Sequence, residues 1–148
     1  MTGDRFDLER FVSAQAPVFD TVLAELQAGR KRTHWMWFIF PQLRGLGHSP
    51  TAQFYGIVSL GEARAYHAHG LLGPRLELCT RTVVESRARS LHEIFGSPDD
   101  WKFRSCMTLF EVAAPDTALF GQALGRWCAG ERDERTRQLL ATGVSDRD

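Results

Sequence analysis

The chain has 148 residues, with eighteen Lys and Arg balanced by eighteen Asp and Glu. That length fits one domain able to bury its own core. Zero formal net charge argues against a dedicated nucleic-acid binder, which carries a basic excess. No apolar run approaches the roughly 20 residues of a membrane span. The start, Met1 to Arg5, has no signal-peptide core, so the expectation is a soluble, cytoplasmic protein with no membrane partner.

Asp7 can cap a short first helix over Leu8, Phe11 and Val12. Pro17 opens a second, in which Val18, Phe19, Val22, Leu23 and Leu26 recur at helical spacing and Gly29 is the stop. Arg30, Lys31 and Arg32 follow. They read either as a solvated cluster at the negative end of that helix or as a phosphate-capturing group beside His34.

Residues 34–43, His34 to Leu43, form the densest apolar stretch and hold two of the four tryptophans. As a strand, both faces would be apolar. As a helix, it would be apolar all round. Periodicity cannot separate the two for so short a run. No second run of comparable β character exists to pair with it, and a lone strand is unstable. A short buried helix is therefore expected, ended near Phe40 because Pro41 disfavours the α conformation before it. The rest of the chain is expected to pack around this segment.

Arg44 to Pro50 holds two glycines and a proline and reads as a loop. Ser49 can cap a helix starting at Pro50. Gly45 and Gly47 either supply turn geometry alone or let the loop approach an anion at that helix start. Ser59 to Glu62 is a capping box opening a helix that Gly70 stops. Pro74 opens the next, with Leu72, Leu76, Cys79 and Val83 inward. Ser90 to Glu93 is a second capping box, closed by Gly96. Ser97 to Asp100 is the strongest helix start. It leads to a core stripe of Phe103, Cys106, Met107 and Phe110 and a second face of Lys102, Ser105 and Leu109. Pro115 ends this helix. Asp116 or Thr117 caps another over Phe120, Leu124 and Trp127, stopped by Gly130. Asp133 caps the last, with Leu139 and Leu140, and the tail after Gly143 is expected to fray. The fold class is all-α: a multihelical single domain over residues 1–148, ordered from about residue 6 to 141.

Cys79, Cys106 and Cys128 are odd in number and widely spaced, which suits neither a disulfide framework nor a metal knuckle. Each falls on an apolar stripe and reads as a small buried hydrophobe. A Cys106–His34 nucleophile pair would need an exposed thiolate, which such a stripe denies. His67 and His69 point roughly opposite ways on a helix, so no metal is expected. No zinc-protease, calcium-loop, Walker or dinucleotide fingerprint is present, and no cofactor is expected. Glu62 is the best candidate for a general acid or base, although its capping role also explains it. Asp100 is the second candidate, although it can simply pair with Arg104. The indoles of Trp35 and Trp37 can stack on a planar ligand or fill the core.

The motif from His34 to Gln42, with Gly45-Leu46-Gly47, Ser49 and Tyr55, resembles a bacterial family known only as domain-of-unknown-function family 1810. So do Glu62-Ala63 with Tyr66 and His69, Gly73 with Arg75-Leu76, and Phe95-Gly96 leading to Asp100, Lys102 and Met107 to Phe110. The resemblance spans roughly residues 6–140 and implies a compact all-helical fold with no established activity. The family is sometimes labelled calpastatin. That inhibitor is a long disordered repeat chain, and this composition is globular. Cys106 stands where the family usually has serine, and Gly70 where it usually has proline.

These residues predict a ligand site formed by His34, Trp35, Trp37, Gln42, Gly45, Gly47, Ser49, Tyr55, Lys102 and Ser105. They converge if the helix from Pro98 packs on the central segment. The ligand expected there is a small phosphorylated, nucleotide-like or ADP-ribose-like metabolite. The alternative is a non-catalytic protein-interaction module docking through the glycine loop and Arg30 to Arg32. The residues set neither a reaction nor an oligomeric state.

Overall fold

The structure, a computed structural model, describes residues 4–142. Ten helices and no strand occur among them: α1 (Glu9–Gln15), α2 (Phe19–Gln27), α3 (Met36–Ile39), α4 (Pro50–Tyr55), α5 (Leu60–Ala68), α6 (Leu72–Val84), α7 (Leu91–Phe95), α8 (Asp99–Ala113), α9 (Leu119–Trp127) and α10 (Glu134–Ala141). The segment after Gly143 lies outside the described residues.

Local signals place most of these boundaries. The Ser49, Ser59 and Ser90 hydroxyls accept from the backbone N–H three residues on, and Asp133 does the same for Thr136. Gly29 and Gly130 adopt the left-handed backbone that ends a helix at little steric cost. Three expectations need correction. Asp4, not Asp7, caps α1: its two carboxylate oxygens accept from the N–H groups of Leu8 and Glu9. The α6 helix begins at Leu72 rather than Pro74, because His69 Nδ1 accepts from the N–H groups of Leu71 and Leu72. Neither Asp116 nor Thr117 caps α9, whose N-cap is Ala118 with no side-chain bond.

The longest helix, α8, is the axis, packed against α5, α7, α9 and α10. Phe103, Cys106, Met107, Leu109 and Phe110 are all fully buried. At one end Phe40 meets Phe95 and Phe103, with ring centroids 5.8 and 5.1 Å away, and Trp35 lies beside them. Further along, Phe110 meets Tyr66, which meets Phe11 edge-on at 5.0 Å. Burying each such ring contributes roughly 1.5–3 kcal/mol. The α5–α6 crossing depends on one glycine, since a Cβ on Gly73 would stand 2.0 Å from the His67 carbonyl oxygen. The central segment is thus a one-turn buried helix, α3, followed by an excursion that returns to the core at Ile57.

Candidate functional site

That excursion is an Ω-loop. Leu43 and Ile57 form an isolated parallel bridge at its neck. Arg44 N–H donates to the Ile57 carbonyl at 2.8 Å, and Ile57 N–H donates to the Gln42 carbonyl at 2.9 Å. Residues 44–56, including α4, lie outside this neck, and α4 buries none of its side chains. Compact loops of this kind are often functional. At the neck a Cβ on Gly56 would stand 2.7 Å from Arg44 Cβ, so only glycine lets the two strands of the neck close.

Arg10 of α1 ties the loop to the body. Its Nε donates to the Phe54 carbonyl and one terminal nitrogen to the Gly56 carbonyl and to Glu62. The other terminal nitrogen donates to the carbonyls of Phe6 and Asp7. All five N–H groups are therefore committed to protein acceptors. Glu62, 1% exposed, accepts from Arg10 at 2.8 Å and from the Val58 N–H at 2.8 Å. Burial pushes the Glu62 carboxyl above its ordinary pKa; the Val58 N–H and the charges of Arg10 and Arg44 pull it back without cancelling the shift.

On one flank of α4, Met36, Trp37, Phe40, Gln42, Ala52, Tyr55, Gly56 and Lys102 line a recess of about 10 Å³. Trp37, Gln42, Tyr55 and Lys102 from the sequence reading do converge there. The space suits one water-sized group. Lys102 Nζ lies 4.9 Å over the Trp37 ring and 3.4 Å from Asp99. Asp99 is also paired with Lys31 at 2.9 Å, and Lys31 stands over Trp35. The basic triplet is thereby divided, with Lys31 held inward while Arg30 and Arg32 are exposed.

Gly47 borders the same recess, and the other predicted residues are dispersed. Trp35 is 1% exposed and donates its N–H to buried Glu25, so its ring belongs to the core rather than to a ligand. Glu25 also accepts from Arg32 N–H, Thr33 N–H and the Thr33 hydroxyl. Burial pushes its pKa up, yet these four donors outweigh it and hold the carboxyl at about 2. Ser105 is buried and donates to the Trp101 carbonyl of its own helix. His34 and Ser49 are exposed. Gly45 and Gly47 are on the loop, with a Cβ on Gly47 meeting Ala52 at 2.8 Å. Asp100 does not pair with Arg104; it stands 3.6 Å from His92, while Arg104 pairs with Glu131 at 3.5 Å. The three cysteines are free and buried, and burial raises every thiol, Cys79 to about 12, which disfavours the thiolate at each. No group of three or more His, Cys, Asp or Glu among the described residues could hold a metal ion. No described helix is long and apolar enough to cross a membrane.

The opposite flank of α4 is the roomier one. Arg5, Phe6, Asp7, Arg10, Arg44, Phe54, Val58 and Glu62 line a cleft of roughly 630 Å³, within the range of small-molecule sites. Phe54 is 52% exposed at its edge. Arg5 lies 5.1 Å over the Phe6 ring. Arg44 makes no side-chain hydrogen bond or ion pair with any described residue. Sequence reasoning passed over Arg10, Arg44 and Phe54. The partners of Arg10 lie up to 52 residues away, and no local spacing encodes the cleft that these residues line.

A family model described as "Protein of unknown function (DUF1810)" matches residues 5–140. The chain belongs to that family. Among solved structures it is similar to the conserved hypothetical protein Rv1873 from Mycobacterium tuberculosis, with 58% identity and a TM-score of 0.92. The likeness covers 93% of this chain and 99% of that one. A search of curated proteins finds no match. The family and the all-helical fold expected from the His34 to Gln42 motif therefore hold.

Proposed function

We propose that this protein binds a small phosphorylated, nucleotide-like ligand in the cleft beneath Phe54, on the Ω-loop that follows the aromatic segment. Arg44 carries this reading. It is a guanidinium at the mouth of a ligand-sized cleft, with none of its five donors used by a described residue. A planar, permanently charged fork of donors suits phosphate oxygens. Arg10 and Glu62 neutralise each other, which leaves Arg44 as the cationic fork of the lining. The half-exposed Phe54 ring offers a face to a planar base. The recess at Trp37 and Lys102 is too small for such a ligand, and its lysine is already paired. Glu62 is sealed beneath Arg10 and acts in this reading as the anchor of the loop, not as an acid or base.

Thermal shift and calorimetry with pyrophosphate, AMP and ADP-ribose test the proposal. A ligand at about 100 times its dissociation constant adds roughly 2.7 kcal/mol, a rise of a few degrees for this length. Arg44→Gln should weaken binding at least tenfold, Phe54→Ala should weaken AMP more than pyrophosphate, and Lys102→Gln should leave both unchanged. A loss of binding in Lys102→Gln with none in Arg44→Gln would put the site on the other flank. No shift with any phosphorylated probe would end the reading altogether.

A further inference from the structure

A second cleft, independent of the Ω-loop, lies at the other side of α8. Ser90, Leu91, His92, Asp100, Trp101, Arg104, Trp127 and Cys128 enclose about 260 Å³, the size of a one-ring metabolite rather than a nucleotide. Trp101 is the most exposed large apolar side chain among the described residues, at 55%. An indole left so open forfeits a large burial term. Here it forms one wall, and Trp127 lines the cleft too. The Trp127 ring is fixed, because its N–H donates to the Val83 carbonyl at 2.9 Å.

The polar groups of this cleft are opposite in sign. Asp100 and Arg104 are one helical turn apart on α8 and so share a face. They do not neutralise each other. Asp100 stands 3.6 Å from the His92 ring, which is 70% exposed. The Arg104 guanidinium lies 4.4 Å over the Trp101 ring, and its ion-pair partner Glu131 is 71% exposed. An ion pair so open to water is worth little, and an incoming carboxylate can replace it. We infer that this cleft binds a free aromatic α-amino acid. The carboxylate goes to Arg104, the ammonium to Asp100 and the ring to the Trp101–Trp127 wall. A lone anion would meet Asp100 and Glu131, and a lone cation would meet Arg104. A zwitterion satisfies both signs.

Calorimetry on the full chain separates the three requirements. L-Phenylalanine should bind. 3-Phenylpropionate lacks the ammonium, phenethylamine lacks the carboxylate and L-alanine lacks the ring, and each should bind at least tenfold more weakly. Trp101→Ala, at an exposed position that leaves the fold intact, should abolish the phenylalanine signal. Arg104→Gln and Asp100→Asn should each weaken it tenfold or more, while Arg44→Gln should not. The inference is overturned if phenylalanine gives no binding heat up to millimolar concentration. It is also overturned if any of the truncated compounds binds as tightly, or if Trp101→Ala leaves the affinity unchanged.

Discussion

Arg10 and Glu62, 2.8 Å apart and almost wholly buried, hold the Ω-loop to the helical body. The pair couples α1 to the start of α5, and through the carbonyls of Phe54 and Gly56 it sets where the loop lies. Removing one partner strands the other's charge. Arg10→Ala and Glu62→Ala should each cost about 3–5 kcal/mol in urea unfolding. The double variant should cost clearly less than the sum of the two. Additive losses would show that the pair is not coupled.

Glu25 makes stability pH-dependent. Its folded pKa, about 2, lies below the ordinary 4.5. A depressed carboxyl contributes stability that is complete above about pH 4.5 and disappears as pH falls toward 2. The shift corresponds to roughly 3 kcal/mol. Glu25→Gln should lose stability at pH 7 and show a flatter decline below pH 4.5 than the parent chain. Equal slopes in a urea series at pH 7, 4 and 3 would contradict this.

The two tryptophans of the central segment should separate cleanly. Trp35 is buried and bonded to Glu25. Its replacement by alanine opens a cavity and removes one of the four donors to Glu25, costing about 3–5 kcal/mol. Trp37 is partly exposed and meets Lys102 through its ring. Trp37→Ala should cost about 1–2 kcal/mol, since an exposed cation–π contact supplies only about 0.5–1. Melting temperatures of the two variants would decide it.

Gly56→Ala tests the neck of the loop. The new Cβ would press on Arg44 at 2.7 Å and on the Ala52 carbonyl oxygen at 3.0 Å. The neck must open, at about 1–3 kcal/mol, and Arg44 must move. Phosphate-ester affinity should fall more than tenfold while the helical circular dichroism stays unchanged. Retained affinity would separate Arg44 from the cleft's ligand.

The residues by themselves determined most of the helix boundaries, the buried stripes and the family. Caps such as Ser49, Ser59 and Asp133 act within three residues, and the α8 stripe from Phe103 to Phe110 repeats every three to four, so both are written in local spacing. The short buried helix at Met36–Ile39 was legible for another reason: no second run could pair with a strand there, and Pro41 marks its end. The missed caps also had reasons: Asp4 acts from outside the expected start of α1, and His69 caps from the preceding turn. Only the tertiary structure decided which polar groups are spent and which are open. Lys102 has its partner, Trp35 serves Glu25, and Arg10 reaches across 52 residues to Glu62. The Arg44 guanidinium acts on Glu62 only through its charge, with no hydrogen bond or ion pair to a described residue. A charged side chain looks the same in sequence whether it is paired or free. The difference comes from packing that brings distant elements within hydrogen-bond reach.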